Sequence, residues 1–91
     1  MTKIEIIKEV KNETGVDERT ISFVLESVLK QIQESLERKE SVFLRGFGTF
    51  EGKLRAEKKA RNISQGTTVT IPAHHVPHFK PAKDFKKKLD K

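Results

Sequence analysis

Hydrophobic side chains in residues 1–40 recur every three or four positions, which is the spacing of amphipathic helices. A first helix is predicted to begin at Thr2, which forms a T-x-x-E capping box with Glu5, and to end at Gly15. A second helix is capped by Asp17. Its apolar stripe comprises Ile21, Val24, Leu25, Val28, Leu29, Ile32 and Leu36. We interpret this stripe as a core-facing surface with no chemistry of its own.

The pattern then changes to that of β-strands. Residues 42–44 are typical of a short buried strand, and the glycines of residues 46–48 turn the chain into the next one. Residues 53–62 alternate as one continuous strand, and the β-branched run 67–71 forms the returning strand. Such a ribbon would be roughly 30 Å long and marginal in water, so we expect an arm that orders on its ligand.

Prolines define the remaining segment. Pro72, Pro77 and Pro81 restrict it to loop or edge strand, and Pro81 is predicted to start a short C-terminal helix that buries Phe85 and Leu89. The predicted fold class is therefore α+β, with two N-terminal helices, a three-stranded antiparallel sheet, a long β-ribbon arm and a short C-terminal helix.

A chain of 91 residues forms one small domain. We divide it into three parts. Residues 1–40 form a helical dimerisation base, residues 41–81 form the sheet and its arm, with the arm tip at about 53–73, and residues 82–91 form a C-terminal helix. The helical stripe and the phenylalanines offer more apolar surface than so small a chain can cover, which predicts an obligate dimer. Cysteine is absent, and neither a leader nor a membrane span is evident. We therefore expect a cytoplasmic protein.

Charge is distributed unevenly. Residues 1–40 carry seven Lys and Arg against nine Asp and Glu, a formal charge of −2, whereas residues 41–91 carry twelve against four, a charge of +8. This asymmetry favours a polyanionic partner, of which nucleic acid is the first candidate. A scaffold whose basic face binds an acidic protein is the alternative, and a steep salt dependence of duplex binding would separate the two.

The sequence gives little support to catalysis or metal binding. Ser41 and Ser64 have no plausible His/Asp partners, and no phosphate-binding glycine motif is present. His74, His75 and His78 are the only metal-like cluster, but the surrounding prolines and the lack of a nearby carboxylate or thiolate argue against a site. No enzyme activity, cofactor or metal is predicted.

An RNA-binding interpretation starts from Arg45-Gly46-Phe47-Gly48, which matches the beginning of the RNP1 signature. The match ends at Thr49, where a stacking aromatic is required, and the helix-first order conflicts with that module. All six phenylalanines also have credible core positions, so base stacking lacks its side chains. RNA binding remains a minor alternative.

Two helices are followed by the G-F-G-T-F-E run, the basic arm ending in R-N, the I-P-A-x-x-V-P-x-F-K-P-A-K stretch and a lysine-rich C-terminal helix. Through these features the chain resembles the HU/integration host factor family of bacterial DNA-bending proteins. These features occur in order over the whole chain. The resemblance implies an intertwined homodimer, or a heterodimer with a paralogue, whose β-arms enter the minor groove of double-stranded DNA.

The resemblance also implies roles for individual residues. The expected DNA contacts are Lys3, Gly46, Phe47, Lys53, Arg55, Lys58, Lys59, Arg61, Asn62, Ile63, Lys80, Lys83 and Lys86. The expected dimer core is Val28, Leu29, Ile32, Leu36, Leu44, Phe47, Phe50 and Phe79. Family members usually have a proline after the arm's Arg-Asn, where this chain has Ile63. We interpret Ile63 as an apolar wedge between base pairs, and an ordinary turn residue is the alternative.

The implied function is architectural. The protein would bend and compact chromosomal DNA in the nucleoid, largely without sequence specificity, since minor-groove contacts read a degenerate pattern. A sequence-preferring bender resembling integration host factor is the alternative within the same family.

Overall fold

The computed structural model describes residues 1–62 and 66–90, and it confirms the predicted α+β class. In chain order the described elements are α1 (Lys3–Thr14), α2 (Glu18–Glu37), β1 (Val42–Leu44), β2 (Gly48–Arg55), β3 (Lys58–Asn62), β4 (Thr67–Ile71), β5 (His74–Pro81) and α3 (Lys83–Leu89). The chain divides into two compact units, Met1–Glu34 and Ser35 onward. None of the described helices combines the length and hydropathy that a membrane span needs.

The predicted helix boundaries of the first unit are confirmed by their caps. The Thr2 hydroxyl accepts a hydrogen bond from the Glu5 amide, and Gly15 ends α1 in the left-handed region at φ 78°. Asp17 caps α2 by accepting hydrogen bonds from the amide and hydroxyl of Thr20. These bonds, the hydroxyl contact first, hold the pKa of the Asp17 carboxyl below its usual value of 3.8.

Little of the first unit's apolar surface is buried in a single chain. Among the described residues, the only buried hydrophobic side chains are Ile7 and Ile21. On the stripe of α2, Val24, Val28 and Leu29 are 53%, 48% and 40% exposed. The stripe predicted to face a core is therefore only partly covered within one chain.

The second unit contains a three-stranded antiparallel sheet in the order β1-β2-β5 and a separate two-stranded ribbon of β3 and β4. Cross-strand pairs place Val42, Phe50 and Phe79 on one side of the three-stranded sheet, which we call the inner face. The same pairs place Phe43, Thr49 and Lys80 on the opposite side, the outer face.

Aromatic packing on the inner face holds the sheet and α3 together. The ring centroids of Phe50 and Phe79 lie 4.8 Å apart, and Phe47 lies 5.2 Å from Phe79 and 5.1 Å from Phe85. Gly48 permits this packing, because a Cβ there would come within 2.6 Å of the Phe79 ring and of the Lys80 carbonyl oxygen. Any larger residue at this position would have to displace both the ring and the β5 backbone.

The prediction of one continuous strand over residues 53–62 is wrong, because strand pairing stops at Ala56 and Glu57. The β2–β5 ladder ends at the pair Arg55–His74, and the β3–β4 ladder begins at Lys58–Ile71. The break has a cause on the opposite strand, where Pro72 has no amide hydrogen to donate. We call this interruption, residues 56–57 opposite 72–73, the arm joint.

Three further details differ from the sequence predictions. Pro81 ends β5 rather than starting α3, since Ala82 is the helix cap and Lys83 the first helical residue. Leu89 is 77% exposed instead of packing with Phe85, because a seven-residue helix presents only one turn to the aromatic cluster. Phe23 and Phe43 are also 77% exposed, so not every phenylalanine has a core position within this chain.

Candidate nucleic-acid interface

The outer face of the three-stranded sheet is rich in exposed cations. Alternation along β2 brings Lys53 and Arg55 to the same side as Lys80 of β5. All three are exposed, and each was predicted to contact DNA. Glu51 is the one carboxylate on this face among the described residues. The outer face therefore presents a positive potential to solvent.

The ribbon continues the basic surface beyond the arm joint and has two different faces. Lys59 and Arg61 lie on one face, paired with Thr70 and Thr68. Lys58 lies on the other, together with Ala60, Val69 and Ile71. Lys53 and Arg55 thus share a face of the three-stranded sheet, and Lys59 and Arg61 share a face of the ribbon, so odd-numbered cations lie together on each side of the joint.

The tip of the arm is only partly described. The backbone of Asn62 pairs with that of Thr67 at the end of the ribbon. Ile63, predicted to be the wedge, lies outside the described residues.

Helix α3 presents the remaining predicted cations of the body. Phe85 anchors the helix by packing on Phe47, while Lys83 and Lys86 are exposed. At Phe47 the amide donates to the Leu44 carbonyl and the carbonyl accepts from Ala82, so both backbone groups are used internally. Gly46 and Phe47 were both predicted to contact DNA. Because the Phe47 amide is already used, the Gly46 amide is the more suitable of the two to donate to a phosphate.

Lys3 lies in the first unit, where its ammonium group forms an ion pair with Glu26. The other ion pairs among the described residues join Lys30 to Glu34 and Arg38 to Glu40. All three pairs fall within residues 1–40. In the described part of the basic half, no Lys or Arg side chain lies within 4.0 Å of a carboxylate oxygen. These cations are available to a polyanion.

Sequence reasoning missed several residues of this surface. Arg45 follows β1 and lines an open groove of about 480 Å³ with Phe43 and Lys80. His74 and His78 lie on the outer face, because strand residues four positions apart share a side, while the register of β5 puts His75 on the opposite side. No cluster of three or more metal-ligating side chains occurs among the residues that the structure describes. Alternation in β1 assigns Phe43 and Val42 to opposite faces but does not show which of the two faces outward.

The predicted dimer-core residues are at least partly accessible in one chain. Val28, Leu29, Leu44 and Phe47 are exposed by 38% to 48%. Ile32, Leu36, Phe50 and Phe79 are half-buried.

Comparison with known proteins identifies a family with this fold. A sequence model of the family described as "Bacterial DNA-binding protein" matches residues 1–90. The chain is 36% identical over 91 residues to DNA-binding protein HU of Clostridium pasteurianum, and the match covers 100% of both chains. It is 34% identical over 91 residues to integration host factor subunit beta of Pseudoalteromonas atlantica, covering 99% of this chain and 95% of the relative.

A solved structure of a member of this family has the same fold. The cocrystal structure of Anabaena HU with DNA superposes with a TM-score of 0.93 at 32% identity, covering 98% of this chain and 97% of the other. The resemblance found in the sequence is thereby confirmed. The chain belongs to the bacterial DNA-binding protein family that includes HU and the integration host factor subunits.

Proposed function

We propose that this protein is an architectural DNA-binding protein that bends and compacts bacterial chromosomal DNA, largely without sequence specificity. One observation carries the proposal: a cationic sheet face and ribbon with no neutralising ion pairs among their described residues, on a fold shared with an HU protein in complex with DNA. The proposed partner is double-stranded DNA, the location is the cytoplasmic nucleoid, and the protein is not an enzyme.

Affinity arises mainly from phosphate neutralisation. Lys53, Arg55 and Lys80 offer cations on the outer face, and Lys83 and Lys86 offer them on α3. Each phosphate contact releases condensed counterions and adds roughly 0.9 to the slope of log K against log salt. Such contacts position the duplex without reading its sequence.

The ribbon is proposed to enter the minor groove. The face with Lys59 and Arg61 suits the groove's negative potential, and the apolar side chains of the opposite face suit sugar carbons. Ile63 is proposed to unstack a base step as an apolar side chain and so create the bend.

The active species is proposed to be a homodimer. The stripe of α2 and the aromatic cluster are incompletely covered in one chain, and burial of this surface against a second copy would stabilise both. A heterodimer with a paralogue would use the same surface.

The second candidate is a sequence-preferring bender. It is favoured by the 34% identity to an integration host factor subunit over 91 residues. Titration of one labelled protein against random, nicked and pre-bent duplexes of equal length separates the two functions. Tighter binding to nicked and bent duplexes, with little difference among random sequences, supports the architectural function. One linear sequence bound a hundredfold more tightly than the others would favour the second candidate, and no duplex binding at low salt would refute both.

A further inference from the structure

Phe43 is an exposed aromatic side chain within the cationic surface. It lies in the middle of β1, opposite Thr49 and in the same row as Lys80. Its side chain points away from the inner-face aromatic cluster and is 77% exposed. Packing within the sheet therefore does not explain an aromatic residue at this position.

The surroundings of Phe43 are suited to a polyanion. Phe43, Arg45 and Lys80 line the same open groove, together with Thr49, Gly46 and Ala82. Neither Arg45 nor Lys80 is paired with a carboxylate in the described part of the chain. An apolar ring beside two free cations complements a ligand in which apolar carbon alternates with negative charge.

We propose that this groove holds the sugar–phosphate backbone of one strand of duplex DNA, with Phe43 packed against a deoxyribose ring and with Arg45 and Lys80 paired with phosphates. The inference deepens the proposed function and rests on it. Bases in a duplex are stacked and paired, so the carbon face of the sugar is the apolar surface that a sheet residue can reach beside a phosphate. This contact would be independent of sequence.

Sugar packing and phosphate pairing contribute to affinity in different ways. Phosphate pairing releases counterions, whereas the burial of apolar carbon releases none. Phe43→Ala is therefore expected to weaken duplex binding roughly tenfold while leaving the salt slope unchanged. Lys80→Ala is expected to lower the slope by about 0.9, because one phosphate is no longer neutralised. Equal slope changes in the two variants would contradict the assigned roles.

A direct test uses the absence of tryptophan and tyrosine from the chain. Phe43→Trp introduces the sole indole, whose acrylamide quenching is measured with and without a saturating random duplex. Phe23→Trp is the matched control, because Phe23 is equally exposed at 77% but lies on α2 in the acidic half of the chain. We expect the duplex to reduce quenching several-fold at position 43 and to leave it nearly unchanged at position 23.

The outcomes separate this inference from the proposed function. Fluorescence anisotropy of the labelled duplex first establishes binding by each variant, and failure of the wild type to bind would refute the proposed function itself. If the duplex binds but the indole at position 43 is quenched as strongly as before, the sugar contact is overturned while the proposed function stands. An indole shielded before DNA is added would assign Phe43 to a protein interface instead. Stronger shielding by a single strand than by a duplex would indicate base stacking and overturn the sugar contact.

Discussion

The Lys3 ammonium group is paired with the Glu26 carboxylate, which ties the start of α1 to the middle of α2. Lys3 is also one of the predicted DNA contacts. Because one ammonium group cannot be fully paired with a carboxylate and a phosphate at once, the predicted DNA contact of Lys3 implies competition with Glu26. An exposed pair of this kind stabilises a fold by only about 0.2–1 kcal/mol, so a phosphate can displace the carboxylate.

Removing the competitor should strengthen DNA binding. Glu26→Gln is expected to raise the affinity for long duplexes about 1.4- to fivefold at low salt, the range that corresponds to the strength of an exposed pair. Glu34→Gln is the control, since it removes the same charge beside Lys30, which is not a predicted contact. Electrophoretic titration of both variants measures the difference. Equal gains in affinity for Glu26→Gln and Glu34→Gln would mean that net charge, and not release of Lys3, strengthens binding.

The exposed stripe of α2 predicts a dimer that dissociates on unfolding. The unfolding midpoint of the wild type should rise with protein concentration. Leu29→Glu should lower the midpoint strongly and yield monomers, because a carboxylate would be desolvated in the interface. Ser27→Glu places the same charge on an exposed position away from the stripe and should keep the dimer. A monomeric wild-type mass at micromolar concentration would exclude the dimer.

The lysines of α3 are expected to act through phosphate. The double variant Lys83→Ala/Lys86→Ala should lower the slope of log K against log salt by about 0.9 for each phosphate that is no longer neutralised, with little change in sequence preference. The control Lys8→Ala/Lys11→Ala removes the same charge from α1. Binding of the α3 variant that matches wild type at all salt concentrations would remove α3 from the DNA-facing body.

Ile63 is expected to control bending more than affinity. Ile63→Ala should reduce the bend angle and the preference for pre-kinked DNA, because it removes the apolar group that unstacks a base step at a cost of a few kcal/mol. Ile63→Pro should keep the bend, since its ring offers a comparable flat apolar surface. Energy transfer between dyes at the duplex ends, at saturating protein, measures the angle. The same bend for wild type and Ile63→Ala would leave Ile63 as a turn residue.

The Asp17 cap predicts a pH-dependent contribution to stability. Its pKa is lowered in the folded protein, so its stabilisation is present above the unfolded-state pKa and is lost as pH falls through the lower folded value. Asp17→Ala should therefore lower the melting temperature at pH 7 and have a smaller effect at pH 3. Glu13→Ala, which removes an exposed acid of α1, is the control. Thermal unfolding at fixed protein concentration measures the melting temperature of both variants. If Asp17→Ala lowered it equally at pH 7 and pH 3, the cap would not depend on the carboxylate charge.

Much of the fold could be predicted because its signals are local. Thr2, Gly15 and Asp17 fix helix ends through bonds to residues three or four positions away. The arm joint could not be predicted this way, because residues 53–62 contain no strand breaker and the interruption comes from Pro72 on the opposite strand. Which residues lie opposite one another in two strands is not visible in either strand's own sequence.

The candidate site, too, could be predicted only as far as it does not depend on strand pairing. The sequence indicated where the cations are, because charge is visible without knowledge of pairing. The outward position of Phe43 could not be predicted, because residues 42–44 are all hydrophobic and a short apolar run does not show which residue faces outward. Pairing of Phe43 with Thr49 and of Val42 with Phe50 supplies that information.

The arm joint has a consequence for how such proteins diversify. No ladder pair among the described residues falls within it, and the pairs of the three-stranded sheet involve no residue of the ribbon. A change of length or composition between residues 58 and 71 can then leave the pairing of residues 48–55 with 74–81 intact. The arm is in this sense an exchangeable module: arms taken from relatives could be grafted at the joint, and the reach and bending of the protein varied while its body stays the same.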